Sequence, residues 1–322
     1  MGGRVVIGLS SWGDPGFIRE WYPRGMDAAD RLRWYAERFE AVELNSSFYA
    51  LPDRAFTARW AQDTPEGFSF DVKLHRLLSR HAAPLDSLPV DLRDRARTTQ
   101  RGRVVLEPWL EEQMLERLRE ELAPLEQAGK LHGFLLQLSP AFSPDAHALS
   151  EIETVLRGLE PFLCAVELRH RAWVADERRE QTLEAIERLG GAWVSVDAPV
   201  GDQVTVMPAL DAVTRDGLAY LRLHGRDLDG YLRGRTVAER FGWVYSDQEL
   251  GEVRQRVARL AEEAGEVRVM FNNNRGDDAP VAARRLRELM GQDPGPPPDR
   301  GAAGERRSAA DRRDAAGQLR LI

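Results

Sequence analysis

The stretch "LCAVELRHRAWVADERREQTLEAIERLGGAWVSVDAP", residues 163–199, opens on an apolar, β-branched run (163–170) and closes on another (192–199). Between them "ERREQTLEAIERLGG" (177–191) carries apolar residues at helical spacing and stops at Gly190-Gly191. Two strands joined through a helix make a parallel βαβ unit, because parallel neighbours need a crossover whereas a hairpin needs only a tight turn.

The same unit recurs in both directions. Six more strand-like runs stand at 5–12, 41–49, 68–75, 134–140, 219–225 and 267–274. Amphipathic patterns at 27–39, 52–62, 110–129, 246–265 and 277–291 fall among them. Eight such units in residues 1–290 fit an α/β fold of the (β/α)8 TIM-barrel type. An open doubly wound sheet is the runner-up, but no G-x-G-x-x-G turn follows the first strand. The segment 82–105 is a long loop after the third strand. From Gly291 the chain turns Pro-, Gly- and Arg-rich, so 291–322 is expected to be a disordered tail.

Composition excludes several classes. The chain is 43% hydrophobic and 30% charged over 322 residues, with no apolar run long enough to span a bilayer. Without a signal-peptide pattern and with Cys164 as the lone cysteine, a cytoplasmic location is expected. A net charge of -7 argues against an indiscriminate nucleic-acid coat. Lys73 and Lys130 are the only lysines against 43 arginines, and Asn45 and Asn272–Asn274 are the only asparagines. In a chain so biased, the survivors are enriched at positions where an arginine fork cannot replace a compact ammonium.

Strand side chains alternate faces, and six runs carry polar pairs at i, i+2 near their C-terminal ends. They are Glu43/Asn45, Asp71/Lys73, Gln137/Ser139, Glu167/Arg169, Ser195/Asp197 and Arg222/His224. With the apolar alternates packed under helices, these pairs are expected to face inward at the mouth where barrel active sites lie. The expected catalytic set is Glu43, Lys73, Glu167, Asp197 and His224: carboxylates and an imidazole for proton transfer, and an amine able to form a Schiff base. Asn45, Gln137, Arg169, Arg222, Arg226, Asn272 and Asn273 are the expected substrate-binding set. The loops "HGRD" (224–227) and "NNNRG" (272–276) follow strands seven and eight, the usual place for phosphate in barrels. No cofactor is evident; a divalent metal among the carboxylates is the lesser alternative. An enzyme, hydrolase or lyase, acting on an anionic, phosphorylated or nucleic-acid substrate is the first functional reading. A non-catalytic anion-binding or clamp-recruited adaptor is the second.

The runs "IGLSSW" (7–12), "VELNSSFYALP" (42–52), "FSFDVK" (68–73), "LLQLSPAF" (135–142), "AVELRHRAW" (165–173), "YLRLHGR" (220–226) and "FNNN" (271–274) together resemble the YecE-like family, domain of unknown function 72. The resemblance implies a TIM-like barrel and carries motif positions to Glu43, Asn45, Lys73, Gln137, Glu167, Arg169, His224 and Asn272/Asn273. It brings no reaction. Two departures stand out: Ser79-Arg80, then His81, where the family has Thr-His, and Ala282-Ala283 where it has Asn-Ala. The last five residues, "QLRLI", resemble the short peptide by which bacterial repair and replication proteins dock on the sliding clamp, with Gln318, Leu319, Leu321 and Ile322 as the expected contacts. No membrane partner is expected.

Overall fold

In the computed structural model, which describes residues 2–298, all eight expected strands are present. They are β1 (Arg4–Leu9), β2 (Ala41–Leu44), β3 (Ser69–Lys73), β4 (Leu131–Gln137), β5 (Leu163–Glu167), β6 (Ala192–Asp197), β7 (Ala219–Leu223) and β8 (Glu266–Phe271). Each pairs in parallel with the next, and β8 closes on β1 to complete the barrel.

The outer layer forms where the sequence supplies caps and apolar stripes. The helix Asp247–Glu263 starts at a capping box: Ser246 Oγ accepts from the Glu249 amide, and the Glu249 carboxylate accepts from the Ser246 amide at 2.7 Å. It buries Leu250, Val253, Val257 and Leu260, one face at helical spacing. Burial of each such side chain contributes about 1.5–3 kcal/mol. The 82–105 loop contains a short 3-10 turn and one helical turn, and folds on itself through the bridges Pro84–Arg103 and Thr98–Val104.

One unit departs from strict alternation. Residues 198–218, between β6 and β7, contain no helix. This loop is stitched to β6 instead. The Trp193 indole donates to Leu210 O at 2.9 Å, while Thr214 Oγ1 accepts from Trp193 N and donates to Gly191 O.

Lys130 does what an arginine would do poorly in the same space. Its compact ammonium sits on the C-terminal end of the helix Arg54–Asp63, donating to Ala61 O at 2.6 Å and to both oxygens of Thr64. That leaves Lys73 as the lysine whose position calls for a different explanation.

The lower interior is ionic. Arg268 donates to Asp71 at 2.7 Å, to Glu266 at 3.0 Å and to Ser69, and His132 bridges Asp71 and Glu266. Burial opposes the charged imidazole of His132, but the two carboxylates outweigh it and raise its pKa. Burial likewise opposes ionised Glu266, yet His132 and Arg268 hold that carboxyl at about 2. The histidine's contribution to stability is therefore complete below its unfolded value of about 6.5 and is lost as pH rises through the raised folded value. The carboxylate's contribution is complete above about 4.3 and is lost as pH falls toward 2. His132→Leu should cost about 2 kcal/mol near pH 5.5, from two charge-assisted bonds, and clearly less at pH 9. Urea unfolding at the two pH values checks this; an equal deficit at both contradicts it.

The segment after the last helix begins along the barrel rather than away from it. Arg284 donates to the carbonyls of Pro294, Gly295 and Pro296, Arg38 to Pro297 O, and Gln292 to Val5 O. The rest of the expected tail, including Gln318, Leu319, Leu321 and Ile322, lies outside the described residues.

Candidate functional site at the barrel mouth

Arg222 of β7 reaches Glu43 of β2 across the barrel, so both side chains point inward. The register then assigns the facing of every other strand. Arg222 stands level with Val196 and Met270, Met270 with Gly8, and Glu43 with Asp71. Glu167 stands level with Gln137, and Leu135 with Lys73. The inward groups at the upper end are therefore Glu43, Asn45, Lys73, Gln137, Glu167, Arg222, His224 and Asn272, as the alternation implied.

The register overturns the expected phase of β6. Val194 and Val196 face inward, level with Tyr220 and Arg222, so Ser195 and Asp197 face out. Asp197 is held there by Arg226 at 2.8 Å, Arg256 at 3.2 Å and Tyr245 Oη at 2.8 Å. The physical reason is local: the Arg256 guanidinium of the helix Asp247–Glu263 reaches Asp197 and also Val196 O at 2.9 Å, so the charge partners of Asp197 lie outside the barrel. Arg226 follows Asp197 out of the expected binding set, with Glu252 as its second carboxylate at 2.8 Å. Asn273 also turns away from the interior, donating to Trp243 O at 2.9 Å.

At the centre, Arg222 binds Glu43 through two bonds of 2.5 and 2.9 Å and Glu167 through a third of 2.5 Å. All three side chains are at most 1% exposed. Tyr220, two residues before Arg222 on the same face, adds its hydroxyl to Glu43 at 3.1 Å. Glu167 also accepts from Gln137 at 2.7 Å and lies 3.2 Å from His224 and 3.5 Å from Arg169. Burial would raise the Glu167 carboxyl, but Arg222, His224 and Arg169 prevail and hold it well below the usual carboxylate range. It is an anchored anion and a poor base.

His224 is neutral. Its Nδ1 lies 3.0 Å from the Asn272 amide nitrogen, which can only donate, so Nε2 carries the proton shared with Glu167. Burial lowers its pKa, against the pull of Glu167. The chain of contacts runs on to Asn45, which donates to Ser10 O at 2.8 Å and approaches Asn272 Oδ1 at 3.5 Å. Asn45 Oδ1 and the buried Ser10 hydroxyl have no partner among the described residues.

Lys73 has no carboxylate in contact among the described residues. Its ammonium donates to Gln137 Oε1 at 2.8 Å and lies 4.6 Å from the centre of the Phe48 ring. Burial first, then Arg222 and Arg169, lower its pKa to about 7 against the pull of Glu43 and Glu167. The mouth thus contains an amine whose pKa lies far below that of an ordinary lysine.

Four further residues at the mouth escaped the strand-based reading because they lie on loops or in a helix. Phe48 follows β2, Arg76 and His81 follow β3, and Tyr231, in the helix Leu228–Arg233, receives a bond from Arg169. Arg80 takes a left-handed backbone conformation, φ 60°, and its guanidinium is clasped by Glu111 at 2.6 Å. That turn delivers His81 edge-on to Phe48 and to Gln137 O at 3.2 Å. The shifted histidine at the Ser79-Arg80 departure therefore still arrives at the mouth. His75, by contrast, is buried and accepts from Leu77 N, a turn contact. Among the described residues, no group of three or more His, Cys, Asp or Glu side chains is arranged to hold a metal ion. No helix among them is long and apolar enough to cross a membrane.

Fold and mouth together define a (β/α)8-type barrel whose upper interior is a buried polar lattice. Residues 6–304 match the family described as "Protein of unknown function DUF72", and the chain belongs to that family. It is 28% identical over 290 residues to the UPF0759 protein YunF of Bacillus subtilis (strain 168), covering 89% of this chain and 94% of that protein. It is 29% identical over 182 residues to the UPF0759 protein YecE of Escherichia coli (strain K12), covering 56% of this chain and 53% of that one. The crystal structure of a DUF72 family protein from Enterococcus faecalis V583 superposes with a TM-score of 0.70 at 24% identity, covering 90% and 98% of the two chains. One from Thermotoga maritima MSB8 gives 0.70 at 23%, covering 90% and 100%.

Proposed function

We propose that this barrel is an enzyme, a lyase working through the neutral amine of Lys73 on the carbonyl group of an anionic substrate. The observation that carries the reading is the environment of Lys73: an ammonium held by one amide oxygen and one ring, with a pKa of about 7. The amine adds to the carbonyl carbon to give a carbinolamine. Loss of water then leaves a protonated imine that accepts the electron pair of the breaking Cα–Cβ bond as an enamine, while the departing fragment loses its hydroxyl proton and leaves as a carbonyl compound. Protonation of the enamine and addition of water then release the second product and return the amine.

Hydrolysis by an activated water has less support. Both oxygens of Glu43 and both of Glu167 are engaged, so neither carboxylate is free to act as base. In this reading Glu43, Glu167 and Arg222 are positioning residues that set the charge around Lys73. Gln137 orients its ammonium, and His224, Asn272 and Asn45 line the rest of the mouth as a chain of contacts.

The test is reductive trapping. Incubation with glyceraldehyde 3-phosphate or glyoxylate followed by borohydride should add the corresponding mass to the peptide containing Lys73. Lys130 should remain unlabelled, and Lys73→Ala should lose the adduct. Equal labelling in wild type and Lys73→Ala would leave the anion-binding, non-catalytic reading in its place.

A further inference from the structure

The cations of the mouth are unevenly matched. On the side of β7 and β8, where phosphate was expected, Arg226 is neutralised by Asp197 and Glu252, and Arg275 pairs with Asp278 at 3.0 Å. The side of β3 and β5 is different. Among the described residues Arg76 has no carboxylate partner and its buried Nε has no acceptor. Its guanidinium lies 5.7 Å from the Phe48 ring centre, the ring that Lys73 approaches at 4.6 Å and His81 meets edge-on at 5.0 Å. Arg169 completes the group from β5, bound to the Tyr231 hydroxyl and only loosely to Glu167 at 3.5 Å. Counting Arg76, Arg169 and Arg222 against Glu43 and Glu167, the mouth holds one fixed positive charge in excess, and two whenever Lys73 is protonated.

We propose that this side of the mouth is an anion subsite for a phosphate monoester, with Arg76 and Arg169 as its fixed charges and Phe48 as its apolar floor. A dianion matches the excess charge when Lys73, or the imine formed on it, is protonated, and a guanidinium with no carboxylate partner offers its terminal N–H groups to phosphoryl oxygens. The neutral imidazole of His81, its pKa lowered to about 4 by burial with Lys73, Arg169 and Arg76 adding to the shift, borders the subsite without adding charge of its own. The subsite deepens the reading of the mouth as the place of reaction: the phosphate end of the substrate is held by Arg76 and Arg169 while its carbonyl end meets Lys73.

Calorimetric titration with inorganic phosphate and with glycerol 3-phosphate tests the subsite without requiring an imine to form. Both should bind the wild-type protein, and dimethyl phosphate, a diester monoanion, about tenfold more weakly. Arg76→Ala should weaken phosphate binding about tenfold or more. Arg76→Gln, which keeps the length of the side chain, should do the same and serves if the alanine variant melts early. Arg226→Ala should bind as the wild type does. Loss of binding in Arg226→Ala but not in the Arg76 variants would move the site to β7 and β8 and overturn the proposal. So would equal affinity for the diester, or no phosphate binding at all. Borohydride trapping of glyoxylate that survives such a failure would leave the Lys73 chemistry standing without this subsite.

Discussion

Lys73 should react with acetic anhydride at half its limiting rate near pH 7, while Lys130, whose pKa burial also lowers, stays unmodified across the same range because its ammonium is enclosed by Ala61 O and both oxygens of Thr64. The difference in available amine is large. A lysine with an ordinary pKa of about 10.4 is neutral in roughly one molecule in 2,500 at pH 7, whereas Lys73 is neutral in about half. That is about three powers of ten in reactive fraction, of which lower basicity returns only part. Burial is the first cause of the lowered value, and Arg222 the second. Glu167 pulls the other way, so Glu167→Gln should move the midpoint lower still, because a negative charge that favoured the ammonium has gone. Lys73→Arg should show no adduct under trapping conditions, since a guanidinium stays protonated whatever its surroundings. Competitive labelling followed by mass spectrometry is unusually clean here, with two lysines in the whole chain. A wild-type midpoint above pH 9 would remove the basis for imine chemistry.

Strand positions were legible in the sequence because each strand buries both faces, one under helices and one in the barrel, so β-branched runs stand out. The inward polar groups were legible for the same reason: Glu43, Lys73, Gln137, Glu167, Arg222 and His224 interrupt those runs with period two. β6 is the exception. There the alternation is real, but its polar residues do not look inward: the register turns Asp197 toward Arg256 outside. Alternation gives two faces; it does not say which is inner. Only a neighbour of known facing settles that, and for β6 the neighbour is Arg222. The loops were less legible still. Phe48 and Arg76 lie beyond the ends of β2 and β3, and His81 joins them through a left-handed turn at Arg80, a conformation that a non-glycine residue does not announce. The asparagine run divides along the same lines: Asn272 continues the inward face of β8 and contacts His224, while Asn273, one residue on, ties the β7–β8 connection through Trp243 O.

Arg222→Met should destabilise the fold by about 3–5 kcal/mol at neutral pH, the range expected when one partner of a buried ion pair is removed and its counterpart is stranded. Two carboxylates are stranded here. Glu43 and Glu167 are both fully buried, and between them they take all three bonds from the guanidinium. Arg222 is the first of the neighbouring charges that hold Glu167 ionised against burial, so the wild-type lattice contributes stability above the ordinary carboxylate value. That contribution fades as pH falls toward the depressed folded value. The deficit of Arg222→Met should therefore be largest near pH 7 and shrink below about pH 5, where the stranded carboxyls can take up protons. Urea unfolding across that range is the measurement, and a deficit under about 1 kcal/mol at pH 7 would show the lattice to be solvated in a way the burial denies. Adding Glu43→Gln and Glu167→Gln to Arg222→Met should recover most of the loss, because a lattice replaced as a whole leaves no lone charge. If this triple variant folds well yet no longer traps glyoxylate on Lys73, the charges are there for the amine and not for the fold. If it folds and traps like the wild type, burial alone lowers the pKa of Lys73, and Gln137 with Phe48 is all the environment the amine needs.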